Sequence, residues 1–298
     1  MKEKKIAAVV VTHNRRELLK ENIEVLFAQT YSPLDILVVD NHSTDGTAEF
    51  LKEVEADPHQ WGEKGFFAES LSENAGGAGG FYHGMKRAFD TGYDAVWIMD
   101  DDTIPERTAL TELVLAAERA GGMETVGYLA SEVLWTDGTA CLMNRCRIAG
   151  EEREGLFPIT QGSFVSLLIP AETIRTAGFP DPAYFIWGDD KEYTLRVSDE
   201  RPCYLVKKSR VIHKTKTNSG SSIATDEPDR IDRYFYAYRN DYVTAKKRGK
   251  KDLLLYHAAY ILNYLRVIAY GDEKKKRLKV MREGKQAGRK LCEQRIHS

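Results

Sequence analysis

The sequence is poor in cysteine, and its cysteines are scattered. Only four occur in 298 residues, and none belongs to a C-x-x-C pair. Structural zinc sites are usually marked by close cysteine pairs, and disulfide-rich domains by a dense set of cysteines. We therefore expect a reduced, cytoplasmic protein without a zinc site. The four residues are Cys141, Cys146, Cys203 and Cys292.

Long apolar runs are also missing. The initial MKEKK is followed by IAAVVV, which is too short for a signal-peptide core and has no small-residue cleavage site behind it. A membrane-spanning helix needs about 18 or more uncharged apolar residues. The nearest approach, residues 253–270, is interrupted by His257, Asn263 and Arg266. We therefore expect neither a signal peptide nor a transmembrane helix.

The chain has little net charge, but the charge is unevenly distributed. The 43 Lys/Arg and 45 Asp/Glu give a formal charge of -2, which argues against a general nucleic-acid binder. Residues 241–298 contain 16 basic and 6 acidic residues, whereas residues 1–240 contain 27 and 39. This asymmetry predicts a body over residues 1–240 and a basic C-terminal extension over residues 241–298 with a partner of its own. The residue pattern of that extension is helical.

The order of predicted elements indicates an α/β fold. Hydrophobic residues make up 42% of the chain, enough to bury a sizeable core. Short β-branched runs alternate with helical patterns, as parallel strands alternate with crossover helices. A helix is expected from about Pro105 to Gly121, a polar loop over residues 214–229, and helices from Arg230 onward. The predicted strands are residues 6–12, 35–40, 94–100, 162–169 and 203–213, with helices at 170–177 and 189–198.

Three consecutive aspartates, Asp100, Asp101 and Asp102, end one predicted strand. Strand side chains alternate between faces, so Asp100 and Asp102 are expected on one side and Asp101 on the other. Two convergent carboxylates are unfavourable unless a cation lies between them. Mg²⁺ and Mn²⁺ take oxygen ligands and share them with diphosphates. The triplet therefore predicts a divalent metal site, with a solvated acidic turn capping the next helix as the alternative.

Polar side chains also follow the first two predicted strands. Thr12, Asn14 and Arg15 follow the first strand, and Asp40 ends the second. Open α/β sheets bind ligands at the carboxyl edge of their strands. We therefore expect Arg15 to contact a diphosphate and Asp40 to contact a base or ribose. A capping-box helix start at Asn14 and an Asx-turn at Asp40 are the alternatives.

A glycine-rich run, NAGGAGG, occupies residues 74–80. Glycines let a backbone approach a phosphate or sugar closely, so Asn74 and Gly77 are candidate donor-binding residues. A flexible loop is the alternative. A dinucleotide-binding dehydrogenase is disfavoured because the first strand-to-helix turn, THNRRE, has no glycine, and no G-K-[ST] follows to make a P-loop.

Two later segments contain a candidate catalytic base and a candidate metal ligand. The segment WGDDKE, residues 187–192, places carboxylates beside Trp187 where a helix should begin. A carboxylate there can accept the proton of an acceptor hydroxyl, although helix capping would explain the same residues. His213 ends the last predicted strand and is a candidate third metal ligand, with a structural or exposed histidine as the alternative.

Together these motifs resemble an inverting family 2 glycosyltransferase of the GT-A fold. The resemblance covers roughly residues 6–240 and rests on T-x-N-R, V-V-D-N-x-S-T-D-G-T, N-x-G-G-x-G-G-F, M-D-D-D, W-x-D-D-x-E-Y and a late V-I-H. NAGGAGGFY, MDDD and WGDDKEY are most similar to galactofuranosyltransferases and their rhamnosyltransferase relatives. The resemblance implies a catalytic domain with a Rossmann-like nucleotide-binding sheet and helices on both faces.

The resemblance also implies residue roles. Asp100, Asp102 and His213 would hold Mn²⁺ or Mg²⁺. Asp190 matches the family's catalytic base, with Asp189 beside it. Because Gly188 stands where some relatives have an acidic residue directly after tryptophan, both aspartates remain candidates. Trp187 would contact the acceptor. The nucleotide sugar would be bound by Thr12, Asn14, Arg15, Asp40, Asn74, Gly77 and Asp101.

The C-terminal extension has three possible uses. The apolar run at 253–270 is followed by a lysine cluster in GDEKKKRLK. Such a pair of features suits peripheral binding to an anionic leaflet, here the inner face of the cell membrane. Packing on the body and homo-oligomerisation are the alternatives.

The leading hypothesis is a metal-dependent hexosyltransferase of cell-surface polysaccharide synthesis. It would transfer a sugar from a nucleoside diphosphate to a glycan or lipid-linked acceptor. The resemblance favours UDP-galactofuranose as donor, with dTDP-rhamnose second. A sugar nucleotidyltransferase and a non-catalytic sugar-nucleotide-binding module are the competing hypotheses. Nucleic acid is not an expected partner.

Overall fold

The computed structural model describes residues 3–57, 59 and 61–296. It is a mixed α/β structure with one central sheet and a helical C-terminal region. The strands are β1 (Ile6–Thr12), β2 (Leu34–Asp40), β3 (Gly65–Ser70), β4 (Ala95–Asp100), β5 (Thr103–Pro105), β6 (Leu129–Leu134), β7 (Arg147–Ile148), β8 (Leu156–Gln161), β9 (Leu167–Pro170) and β10 (Tyr204–His213). The α-helices are α1 (Arg16–Phe27), α2 (Thr47–Ala56), α3 (Gly76–Thr91), α4 (Ala109–Arg119), α5 (Ala171–Ala177), α6 (Asp189–Ser198), α7 (Tyr234–Arg248), α8 (Lys250–Tyr270) and α9 (Lys274–Ile296).

The sheet aligns the strand ends that carry the candidate site. Along the sheet the strands run β3-β2-β1-β4-β9-β6-β10-β8-β7, and β5 pairs with β10. β1 lies parallel to both β2 and β4, with Thr12 opposite Asp40 and Val11 opposite Asp100. These three strands therefore end at one edge, as the sequence predicted.

β1 is buried on both faces because helices cover both sides of the sheet. Ile6, Ala8 and Val10 belong to a cluster with residues of α1 and α4. Ala7, Val9 and Val11 belong to the opposite cluster, with residues of α3. A strand buried on both sides needs apolar residues at every position, which explains the unbroken run IAAVVV. The predicted fold class is confirmed.

The glycine-rich run forms the start of α3, so its interpretation as a flexible loop is wrong. Gly80 and Gly84 lie directly against β1: a Cβ added to Gly80 would lie 2.4 Å from Val11, and one added to Gly84 would lie 2.4 Å from Val9. At Gly77, in contrast, an added Cβ would meet nothing within 4 Å. Close packing of α3 on the sheet therefore accounts for part of the run.

Two other local predictions are corrected, and one edge strand was missed. The helix expected from Pro105 begins at Ala109, because Thr103–Pro105 pairs antiparallel with the end of β10. The strand expected over residues 162–169 is limited to Leu167–Pro170. β3 was not predicted; it pairs only with β2, at the sheet edge, and its half-buried residues lack a continuous apolar pattern.

The chain divides into two compact units. The first contains residues 1–183 and 190–218, and the second contains residues 184–189 and 219–298. The expected boundary between residues 240 and 241 therefore falls inside α7. In the second unit, α7 packs against α8 and α9. Among the described residues, no helix is both long and apolar enough to cross a membrane.

Candidate active site

The first unit brings Asp100, Asp102 and His213 together. Asp100 ends β4, and Asp102 lies in the turn between β4 and β5. His213 ends β10, where it pairs with Thr103 of β5. One carboxylate oxygen from each aspartate and one ring nitrogen of His213 all lie within 4.8 Å of one another. The sheet thus supplies two carboxylate oxygens and one imidazole nitrogen at a single point.

This cluster fits a divalent cation. Asp102 is 5% exposed, and its Oδ1 has no hydrogen-bond partner among the described residues. The same Oδ1 lies 3.1 Å from Nε2 of His213, without the alignment of a hydrogen bond. A buried carboxylate oxygen is costly when it lacks a partner. Two carboxylates and a neutral imidazole are suitable ligands for Mn²⁺ and, with more oxygen ligands, Mg²⁺.

The protonation equilibria also indicate a shortage of positive charge at the cluster. Burial, reinforced by the neighbouring Asp102 carboxylate, raises the pKa of Asp100 to about 7. Burial alone would lower the pKa of His213, but its contact with Asp102 raises that pKa to about 10. Burial would likewise raise the pKa of Asp102, yet His213 and Arg15 hold it below its usual value. A bound cation would stabilise the charged carboxylates and displace the histidine proton.

Asp101 is not a member of this ligand cluster, although it lies in the same turn as Asp102. Its Oδ2 accepts a hydrogen bond from Thr12 Oγ1 at 2.8 Å, and its Oδ1 lies 3.2 Å from Arg15 Nη1. The same Arg15 nitrogen donates to Asp102 Oδ2 at 2.7 Å. Burial raises the pKa of Asp101 to about 6, although Arg15 opposes that rise. Arg15 is half exposed and connects the end of β1 with both aspartates.

A second set of contacts orients His213. Its Nδ1 lies 2.8 Å from Oδ1 of Asn144, an acceptor, so Nδ1 carries the proton. That assignment leaves Nε2 directed at Asp102 as the ring nitrogen available to a metal. The Cys141 sulfur lies 3.9 Å from Nδ1. Asn144 ends a short 3-10 turn, Leu142–Asn144, and the sequence offered no local signal for this contact.

Asn14 does not cap α1, which corrects the capping-box interpretation. Asn14 has a left-handed backbone with φ +54°, and its Oδ1 accepts the backbone N–H of Thr44 at 2.7 Å. Asp45 instead accepts the N–H of Arg16 at the start of α1. Asn14 therefore ties the turn after β1 to the turn after β2.

Asp40 forms the Asx-type contact that was the alternative interpretation. Its Oδ1 accepts the N–H of Ser43 at 3.0 Å, and its Oδ2 accepts from Ser70 Oγ at 3.2 Å. The side chain is buried, with 1% exposure. In this conformation Asp40 stabilises the turn after β2.

Asn74 is connected to the same edge through two residues that sequence reasoning missed. Asn41, directly after β2, donates to Asn74 Oδ1 at 3.1 Å and to the Gly76 carbonyl at 2.9 Å. His13, after β1, has its Nε2 3.3 Å from Nδ2 of Asn74. Both adjoin predicted site residues, which is the signal that could have identified them. The start of α3 is thereby fixed to the first two strand ends.

The segment WGDDKE crosses from the second unit into the first. Trp187 and Asp189 belong to the second unit, and Asp190 belongs to the first. α6 begins at Asp189, as predicted, and Asp190 Oδ1 accepts the N–H of Lys191 at 2.6 Å. In the second unit the Trp187 ring packs edge-on against Tyr234, with ring centroids 5.1 Å apart.

Comparisons with known proteins agree with this architecture. The family model "Glycosyl transferase family 2" matches residues 7–133, which include β1, β2, β4 and the three aspartates. Galactofuranosyltransferase GlfT1 of Mycolicibacterium smegmatis is 27% identical over 266 residues, covering 84% of this chain and 85% of that protein. Residues 7–133 therefore form a family 2 glycosyltransferase domain.

Solved structures agree with the fold of this glycosyltransferase. GalNAc-T7, solved with UDP, GalNAc and Mn²⁺, has a TM-score of 0.66 at 13% identity, with 94% of this chain and 55% of that chain covered. This chain therefore spans about half of that longer protein. The mannosyltransferase PcManGT of Pyrobaculum calidifontis, solved with GDP-Man and Mn²⁺, has a TM-score of 0.57 at 16% identity, covering 96% and 76%. Both have the GT-A-like arrangement.

Proposed function

We propose that this protein is an inverting, metal-dependent glycosyltransferase that moves galactofuranose from a nucleoside diphosphate to a glycan or lipid-linked acceptor. The main supporting observation is the buried cluster of Asp100, Asp102 and His213 in a family 2 domain. The galactofuranosyl donor is favoured because the similarity to GlfT1 extends over 84% of this chain. It therefore includes parts of both compact units and is not limited to the family 2 domain.

Asp100, Asp102 and His213 would hold Mn²⁺ or Mg²⁺. Two GT-A-like neighbours, GalNAc-T7 and PcManGT, were solved with Mn²⁺. When bound, the cation would neutralise charge that develops on the departing diphosphate. Arg15, half exposed beside the cluster, supplies a fixed positive charge for the same phosphates. Its ion pairs with Asp101 and Asp102 would pre-orient the guanidinium before the donor arrives.

The edge formed by β1, β2 and α3 would hold the rest of the donor. Asn14 and Asp40 stabilise the two turns there, and Thr12 donates to Asp101. Asn74 joins this edge to the start of α3. We assign Gly77 to donor contact because its missing side chain leaves open space. Asp101 would act through Arg15 and Thr12 rather than through the metal.

Asp190 is the proposed base, with Asp189 as the alternative, and Trp187 is proposed to contact the acceptor. A carboxylate that accepts the hydroxyl proton on the face opposite the diphosphate permits a single displacement with inversion. No covalent sugar–enzyme intermediate is required.

The test is turnover of purified protein with UDP-galactofuranose, dTDP-rhamnose and other sugar nucleotides, with Mn²⁺, Mg²⁺ or chelator. Asp102→Ala and Asp190→Asn are each expected to lower turnover by at least about a hundredfold. Asp90→Asn, which changes an exposed carboxylate on α3, is the control. Full activity in both site variants would contradict the assignment. Pyrophosphate release from a nucleoside triphosphate would favour a nucleotidyltransferase, and binding without turnover would favour a non-catalytic module.

A further inference from the structure

The outward face of α8 is apolar along most of the helix. Leu254, Ile261 and Leu265 are 70%, 60% and 56% exposed. Together with Ala258 and Ile268 they recur at helical spacing, so they form one continuous row. Leu255 and Leu262, also exposed, widen that row. Residues 253–265 contain no Asp, Glu, Lys or Arg.

The opposite face of α8 is already occupied within the second unit. Tyr256 and Val267 are buried, and the Tyr256 hydroxyl donates to the Tyr238 carbonyl of α7 at 3.2 Å. Tyr260 packs edge-on against Tyr238 as well, with centroids 5.6 Å apart. A surface helix ordinarily turns its apolar side inward and its polar side outward. α8 is apolar on both faces: its inward face supplies the unit's core, and its exposed apolar row is additional to that core.

Cations flank the apolar row at both ends. Near the N-terminal end of α8, Lys246 is exposed in the last turn of α7, and Lys250 and Lys251 are exposed at the start of α8. Lys274 and Lys275 are exposed just beyond its C-terminal end. Lys274 Nζ also donates to the Ile268 carbonyl at 2.6 Å, which places it at the end of the row. Two tyrosines near that end, Tyr264 and Tyr270, are exposed too. Apolar side chains between cations and tyrosines match the layered chemistry of a bilayer interface.

We propose that the row Leu254, Ala258, Ile261, Leu265 and Ile268 docks on the surface of an anionic phospholipid bilayer, with α8 parallel to the membrane plane. The basic ends of α8 favour an anionic bilayer over a second copy of the chain as the partner of this row. Because both ends of α8 are basic, a copy docked on the same row would bring like charges together in either alignment. An anionic leaflet instead attracts each of these lysines. This inference concerns the second unit and does not depend on the proposed sugar donor.

Vesicle flotation of the full chain tests the proposal. The protein is expected to float with phosphatidylcholine vesicles containing about 30% phosphatidylglycerol, and much less with phosphatidylcholine alone. Leu254→Gln/Ile261→Gln/Leu265→Gln should lower partitioning by at least about tenfold. Lys246→Gln/Lys250→Gln/Lys251→Gln should lower it by about fivefold per lysine at low salt, and less at high salt.

The matched control is Phe67→Gln/Leu115→Gln/Ile148→Gln, which removes three comparably exposed apolar side chains elsewhere. It should float like the wild type. Circular dichroism and melting temperature verify that each variant is folded. Equal flotation of the two apolar triple variants, or no wild-type binding to anionic vesicles, would overturn the proposal. So would sedimentation showing a dimer that the α8 substitutions dissociate while vesicles remain unbound.

Discussion

His213 directs one ring nitrogen at the carboxylate cluster and the other at Asn144. The Nδ1–Asn144 hydrogen bond of 2.8 Å fixes both the ring orientation and the position of its proton. Asn144 does not belong to the ligand cluster, so it is a positioning residue. Such partners commonly change metal affinity by about 10- to 100-fold when they are removed.

Asn144→Leu is therefore expected to raise the Mn²⁺ dissociation constant by about tenfold, because His213 loses its orienting acceptor. His213→Ala should raise it further, since a proposed ligand is removed. Isothermal titration with Mn²⁺ measures both. Asn144→Asp, which retains the acceptor oxygen, should restore most of the affinity. If Asn144→Leu binds Mn²⁺ as the wild type does, Asn144 does not position the ligand.

Asn240 stabilises an unusual stretch of backbone in the second unit. Phe185 and Trp187 both have φ +62°, a conformation that side chains with a Cβ seldom adopt. Asn240 is 1% exposed, and its Nδ2 lies 2.8, 3.1 and 2.6 Å from the carbonyl oxygens of Tyr184, Ile186 and Trp187. One buried amide thus holds the backbone that directly precedes Asp189 and Asp190 in the chain.

Asn240→Ala is expected to lower the free energy of unfolding by about 2–3 kcal/mol, since buried carbonyls lose their donor. Turnover should fall as well, if this backbone places the proposed acceptor residue Trp187. Urea denaturation and initial rates measure the two effects. Asn240→Asp keeps the side-chain shape without the N–H donors and should be comparably destabilising. Gln286→Ala, on the exposed side of α9, is the control, and wild-type stability of Asn240→Asp would contradict the hydrogen-bond explanation.

At the residue scale, the sequence predicted side chains whose position follows from a strand end. Asp100, Asp102 and His213 lie close together, as expected for residues at the ends of strands, although Asp102 lies in the turn after β4 and not on the strand. Asn144 and Asn240 were not predicted. Their contacts join residues 69 and more than 50 positions apart in the chain, and an isolated asparagine carries no pattern that indicates such a partner.

At the element scale, apolar periodicity identified the central strands but did not identify α3 as a helix. β1, β2 and β4 are long, buried and β-branched, so their patterns are unambiguous. The run GGAGG has poor intrinsic helix propensity, which favours a loop. Packing decides otherwise, because small residues let α3 lie directly on β1. Tertiary contact of this kind cannot be read from propensity.

Gly84→Ala and Gly77→Ala separate the two uses of glycine in α3. An alanine at Gly84 would place its Cβ 2.4 Å from Val9 and 3.0 Å from Val39, so we expect a loss of about 2 kcal/mol in unfolding free energy. An alanine at Gly77 meets nothing within 4 Å, so stability should be unchanged or rise by less than about 1 kcal/mol. If Gly77 contacts the donor, that variant should raise KM while it remains stable. Equal stability of the two variants would refute close packing at Gly84.

At the scale of the whole molecule, the charge asymmetry has a structural counterpart. Residues 241–298, with 16 basic residues against 6 acidic ones, all lie in the second unit. The carboxylate cluster lies entirely in the first. The charge distribution predicted the boundary between the units only approximately. Residues 184–189 belong to the second unit because they contact α7, which lies more than 40 positions later in the chain. The two opposed charges correspond to separate proposed tasks, phosphate and metal binding in one unit and membrane binding in the other.

Ligand-induced stabilisation tests the donor site in the intact protein. A ligand that binds only the folded state at about 100 times its Kd adds about 2.7 kcal/mol of stability. For a chain of this size that corresponds to a rise of roughly 4 °C in melting temperature. UDP-galactofuranose with Mn²⁺ should produce this rise, and chelator should remove most of it, because the diphosphate and the cluster would share the cation. Asp102→Asn should abolish the metal-dependent part, whereas Asp90→Asn should preserve it. An equal rise with and without metal in the wild-type protein would mean that Asp100, Asp102 and His213 do not bind the donor through a cation.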